Sequence, residues 1–119
     1  MIDMLKRLNH IAIAVPDLDI AVNNYKNAFD AKVTPKQELI KHGVTTAFIK
    51  LDNTNIELLE PLGEDSPISK FLKRNPAGSI HHLCYEVIDI KLAILNLQNK
   101  GYSILGNGIP REGAHGKPV

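Results

Sequence analysis

Apolar and polar positions alternate from Leu8 to Val15, which predicts a strand with Ile11, Ile13 and Val15 on one face and His10, Ala12 and Ala14 on the other. Pro16-Asp17 ends that strand and supplies an N-cap for a helix. Leu18, Ala21, Val22, Tyr25 and Phe29 follow at helical spacing and form its expected buried stripe. Three extended segments come next, at about Lys32 to Leu39, Val44 to Leu51 and Asn55 to Glu60. The separators His42-Gly43 and Asp52-Asn53-Thr54 are turn material of the kind that joins antiparallel strands. Pro61 to Gly78 reads as a connector, with Pro67 suited to a first helical turn and a short helix to about Arg74. Ile80 to Val87 predicts another strand and Ile90 to Lys100 a helix ended by Gly101. A short strand near Ser103 to Leu105 and a closing loop complete the pattern.

The pattern repeats. Shifted by 72 residues, Leu8 to Tyr25 falls on Ile80 to Leu97: His10 meets His82, Val15 meets Val87, Asp17 meets Asp89, Ala21 meets Ala93 and Asn24 meets Asn96. Five of the sixteen positions from His10 to Tyr25 are identical, where ordinary composition predicts about one. Each copy is a strand, an aspartate and a helix, so a β-α unit is duplicated. The first copy, at about residues 8–60, continues through three more strands as β-α-β-β-β. The second starts at about residue 80, and the sequence reaches Val119 after about one further strand. By the same shift the partner of Glu57 falls near position ~129. The second module is therefore expected to be incomplete within these residues, leaving a sheet edge for more chain or a second copy to cover, as in a homodimer.

Composition sets the frame around that repeat. A chain of 119 residues suits one domain with a single core. A net charge of +1, with positive residues scattered, offers no electrostatic footprint for nucleic acid or an acidic membrane surface. The one cysteine, Cys84, forms no internal disulfide, and a reducing cytoplasm is the expected compartment. No signal peptide or spanning run is visible.

Two histidines at equivalent places in a duplicated unit are candidate metal ligands, because imidazole binds transition metals and a carboxylate usually completes the set. Glu57 alternates against Ile56 and Leu58, which suits an inward-facing carboxylate. Ala12 and Ala14, on the face of His10, are small enough to leave room for a bound molecule. A lone strand histidine is more often structural, and it is the repeat that overturns this for His10 and His82. His81 is assigned to the opposite face and a structural role, and His42 to an exposed turn. Cys84 shares the face of His82 as a small lining residue, with no basic neighbour in sequence to make it a thiolate.

These segments carry a resemblance. His10 to Leu18, Asn53 to Ile68, Asn75 to Gly78 with His81 to Val87, and Gly113 to Val119 are similar to the vicinal oxygen chelate superfamily, which includes glyoxalase I, extradiol dioxygenases and antibiotic-resistance proteins. The likeness covers essentially the whole chain and is nearest to the methylmalonyl-CoA epimerases, to which the run Asn53 to Ile68 is most specific. It implies an α+β fold in which paired β-α-β-β-β modules form a curved mixed sheet around a metal cleft. It also implies His10, Glu57 and His82 as ligands of a divalent ion (cobalt, manganese, nickel, zinc or magnesium), with the last family ligand, a glutamate on the final strand, lying past Val119.

The implied reaction interconverts the epimers of an acyl-CoA, methylmalonyl-CoA, through a metal-stabilised enolate. Some epimerases have a glutamate proposed as base in the middle of the third strand, where this chain has Thr46, so the resemblance assigns no base; Glu57 and the glutamate expected past Val119 are then catalytic candidates by proximity alone. A glyoxalase I-like lyase or a dioxygenase of the same superfamily is the competing enzyme reading, since two histidines and a carboxylate also suit non-haem iron. A non-catalytic small-molecule-binding protein is the other, against which the retained His10, Glu57 and His82 argue.

Overall fold

The computed structural model describes residues 3–106, 108–113, 115 and 117–119. In chain order the elements are β1 (Leu5–Ala14), α1 (Leu18–Phe29), β2 (Gln37–Leu39), β3 (Val44–Lys50), β4 (Asn55–Pro61), α2 (Ser69–Arg74), β5 (Ser79–Val87) and α3 (Ile90–Asn99). The strands form one sheet in the order β2-β3-β4-β1-β5. β1 and β4 are parallel, whereas β2/β3 and β3/β4 are antiparallel. The α+β architecture and the β-α-β-β-β course of the first module are as the sequence pattern predicts. Two compact units divide the chain, Leu8–Cys84 and Met1–Arg7 with Tyr85–Val119.

The larger unit, Leu8–Cys84, builds a core cluster on each face of its sheet. On one face Leu18, Val15, Ala47, Ile49 and Leu58 form a core on which Ala21, Val22 and Tyr25 pack. Asp17 starts α1 by accepting from the Ile20 amide at 3.1 Å, and the Glu60 carboxylate accepts from the Leu18 amide at 2.8 Å. Two amides that the first helical turn would leave unpaired are thereby satisfied. Phe29, expected in the buried stripe, is 74% exposed: it is the last residue of α1, followed by Asp30 in the left-handed conformation, and its ring meets only the Tyr25 ring among the described aromatic side chains.

On the other face Ala12, Ala14, Val44, Leu59 and Ile68 are buried under Leu39, Phe71 and Leu72. The expectation that Ala12 and Ala14 leave room for a ligand is thus corrected. Both are fully covered because the connector and α2 fold down onto them, and their small size admits those larger side chains.

Other boundaries shift for local reasons. Of Lys32 to Leu39 only Gln37–Leu39 is strand, with Val33 bridging Ile49 separately. A 3-10 turn at Ile40–His42 precedes Gly43, which leaves His42 half-buried rather than exposed. Pro67 stands before the helical turn it was expected to open, since α2 begins at Ser69.

In the smaller unit Asp89 caps α3 by accepting from the Leu92 amide at 3.1 Å. Its backbone angles, φ −147° and ψ 112°, nearly reproduce those of Asp17 at −142° and 111°. The sequence repeat is therefore a structural one down to its caps. The strand expected at Ser103 to Leu105 is absent: these residues are irregular, and beyond α3 the described residues form no strand, only the isolated bridge Glu112 to Pro118. Of the Gly113 to Gly116 loop, Ala114 and Gly116 lie outside the described residues. No helix among the described residues is long and apolar enough to cross a membrane.

Candidate metal centre

His10, Glu57 and His82 come together within the larger unit. Strand parity places the first two: Ala12 is the register partner of Glu57 on the parallel neighbour, so His10, two residues earlier on β1, projects on the same face. β5 lies beside β1 and brings His82 alongside. Each residue offers a ligand atom, and these atoms lie within 4.8 Å of one another. His10 Nε2 stands 3.3 Å from His82 Nε2 and 3.3 Å from Glu57 Oε1. Ligands bound at ~2.0–2.2 Å with right-angled to tetrahedral geometry stand ~2.8–3.6 Å apart, so the spacings around His10 fit a shared ion.

Burial grades across the group: Glu57 is buried, His10 half-buried and His82 exposed. The carboxylate therefore sits at the floor and the imidazole of His82 at the mouth. Phe48, the register partner of Glu57 on β3, sets its ring edge-on to His10 with centroids 6.2 Å apart.

The electrostatics follow from this packing. Burial disfavours a charged His10, but contact with the Cys84 side chain and the Glu57 carboxylate outweighs it and the pKa is pushed up to about 9. Burial would raise Glu57, yet hydrogen bonding and charge from His10, together with the Thr46 hydroxyl, hold it below the usual carboxylate value. His82, exposed as a residue, is lowered first by the partial burial of its ring and then by the neighbouring His10 and His81. With no ion bound, these shifts favour the charged forms of His10 and Glu57 and the neutral form of His82.

Of four residues around the ligands, Cys84 is the expected lining residue, whereas the places of Asn9 and His81 and the link from Thr46 to Glu57 were not foreseen. Asn9 Oδ1 accepts from His10 Nδ1 at 2.8 Å, which orients the ring with Nε2 facing the group. His81, expected on the opposite face, has its Nδ1 2.8 Å from His82 Nδ1 and its ring against Phe71; as an exposed residue of a sheet-edge strand it can lean around the backbone. Cys84, which has no basic sequence neighbour, meets His10 in space. Thr46 Oγ1 donates to Glu57 Oε2 at 2.9 Å. Adjacency to His10 could have found Asn9; the others depend on strand pairing and packing.

Comparison with known proteins shows the family and the fold. The sequence profile of the Glyoxalase/Bleomycin resistance protein/Dioxygenase superfamily matches residues 9–119. An ethylmalonyl-CoA/methylmalonyl-CoA epimerase of Cereibacter sphaeroides is 58% identical over 116 residues, covering 98% of this chain and 87% of the relative. A mitochondrial methylmalonyl-CoA epimerase of Dictyostelium discoideum is 50% identical over 113 residues, covering 95% and 68%. A solved methylmalonyl-CoA epimerase in complex with methylmalonyl-CoA and NH4+ matches with a TM-score of 0.87 at 31% identity, over 96% of this chain and 82% of its own.

Proposed function

The chain belongs to the glyoxalase/bleomycin resistance protein/dioxygenase superfamily, and we propose that it is an isomerase that interconverts the epimers of methylmalonyl-CoA, with His10, Glu57 and His82 holding a divalent metal ion. We read residues 1–119 as a single domain of that superfamily. The observation that carries the substrate is the 58% identity to an ethylmalonyl-CoA/methylmalonyl-CoA epimerase across 98% of the chain. The convergence of His10, Glu57 and His82 supports the metal.

The reacting carbon lies between a thioester and a carboxylate, so loss of its proton places negative charge on neighbouring oxygens. A bound divalent ion would supply positive charge opposite those oxygens and lower the barrier to proton loss. The chain's own part is to hold the ligand atoms ready. Asn9 fixes the His10 tautomer and Thr46 takes up one oxygen of Glu57.

Epimerisation also requires a group to remove and return a proton. A base works best with a pKa near the working pH. Glu57, held low by His10, suits the ligand role better than the base role first considered for it. Thr46 offers a hydroxyl that already donates to Glu57, and no carboxylate basicity.

The test is incubation of the metal-loaded protein with either epimer in deuterated water, followed by mass spectrometry and a coupled stereospecific mutase. Deuterium uptake with loss of stereochemical purity, abolished by chelator, is expected. No exchange from the loaded protein, together with turnover of a glutathione hemithioacetal or an aromatic diol, would overturn the epimerase reading and leave the superfamily standing.

A further inference from the structure

We propose that Thr46 is a positioning residue for the metal centre, its hydroxyl engaging one oxygen of Glu57 and leaving the other turned to His10. This rests on the reading of His10, Glu57 and His82 as ligands and concerns a residue outside that set.

Glu57 pairs with Phe48 across the antiparallel β3/β4 ladder, and Thr46 lies two residues further along β3 on the same face. That diagonal relationship lets a side chain as long as glutamate reach it. Thr46 is 0% exposed and Glu57 5% exposed, so water is a poor substitute partner for either. The bond from Thr46 Oγ1 to Glu57 Oε2 is 2.9 Å, while Glu57 Oε1 stands 3.3 Å from His10 Nε2. The two carboxylate oxygens therefore have separate tasks, one fixed to the core and one presented to the site.

The residue type fits the task. A β-branched side chain has few χ1 options, so the hydroxyl stays where the carboxylate needs it. Without the bond, Glu57 Oε2 would be a buried charged oxygen lacking its donor, and the carboxylate could rotate to turn both oxygens toward His10. Hydrogen bonds to ligating groups set their orientation, and losing one typically lowers metal affinity about 10–100-fold. Thr46 also differs from the other outer partners. Asn9 and His81 hold their histidines near the surface, whereas Thr46 anchors the one ligand that comes from the core.

The experiment compares the parent chain with Thr46→Val, Thr46→Ser and His82→Ala, measuring zinc affinity by competition with a chromogenic chelator and folding by thermal melting. Valine keeps the shape and removes the donor; serine restores the donor with less bulk. The expected result is a loss of about 10-fold or more for Thr46→Val and recovery of most of it by Thr46→Ser. Should Thr46→Val not fold, Thr46→Ala against Thr46→Ser makes the same comparison. Affinity within about twofold of the parent for a folded Thr46→Val, while His82→Ala has lost binding, overturns the positioning role and leaves the metal site intact. A parent that binds zinc no better than His82→Ala overturns the ligand assignment itself, and this proposal with it.

Discussion

His10 and His82 are 72 positions apart in the chain, and their Nε2 atoms are 3.3 Å apart in space. The separation in sequence equals the period of the repeat, so the two copies of one β-α unit deliver the same residue to the same place from adjacent strands. Two ring nitrogens at that distance repel through their lone pairs unless something positive lies between them. A single proton on His10 meets that need, and a divalent cation meets it more strongly.

The first prediction concerns that exchange of proton for cation. Replacing either histidine by alanine removes a ligand outright, so the loss of zinc affinity should be at least the ~10–100-fold typical of an outer partner. Elemental analysis after dialysis, run on the parent, His10→Ala and His82→Ala, checks it. Equal metal content in all three would show that the histidines do not hold the ion.

The second prediction concerns pH. His10 is raised from 6.5 to about 9, so an ion must displace its proton and zinc affinity should climb with pH until about 9. Without metal the signs differ from group to group. The raised His10 contributes stability that is fully present below pH 6.5 and lost as pH rises through about 9. Glu57, lowered from 4.5, contributes above that value and loses its share as pH falls through its folded pKa. His82, lowered from 6.5, likewise contributes above that value and loses its share under acid conditions. Urea melts in chelator should therefore show greatest stability near neutrality and decline on both sides. Glu57→Gln removes the charge that helps hold the His10 proton, and it should move the alkaline decline to lower pH. An unmoved alkaline limb would mean that Glu57 does not support the charge on His10.

These features were unequally legible in the sequence. The histidine pair and the caps Asp17 and Asp89 could be read because duplication writes them twice, and period-two alternation fixes which strand residues share a face. Alternation also put Ala12 and Ala14 beside His10 correctly. It could not show that Ile68, Phe71 and Leu72 fold over them, because α2 reaches that face through tertiary packing alone. Thr46 stayed hidden for a related reason: its link to Glu57 depends on the β3/β4 register, and a one-residue slip would turn the hydroxyl to the other face. His81 was misassigned because strict alternation assumes upright side chains, a rule that binds weakly on an exposed edge strand. The strand expected at Ser103 to Leu105 fails because three residues with two adjacent aliphatics specify no pairing partner.

The last prediction tests how the strand carrying His82 is seated. The turn Asn75 to Gly78 leads into β5, with the Gly78 amide donating to the Asn75 carbonyl at 2.9 Å. Gly78 adopts φ +88°, and a Cβ there would come within 2.5 Å of the Ala14 carbonyl oxygen and 3.3 Å of the Val15 Cα. Gly63 has nearly the same φ, +86°, with nothing within 4 Å of its would-be Cβ. The pair separates two effects that a single substitution would merge. Gly63→Ala suffers only the unfavourable dihedral, about 1 kcal/mol. Gly78→Ala adds a collision with backbone that cannot rotate away, so β5 must move from the end of β1, at a total of about 3 kcal/mol or more. Denaturant melts of the two variants measure the difference, and zinc titration shows whether displacing β5 also weakens the site. Equal stabilities would mean that the close approach of Gly78 to β1 is not a constraint on the fold.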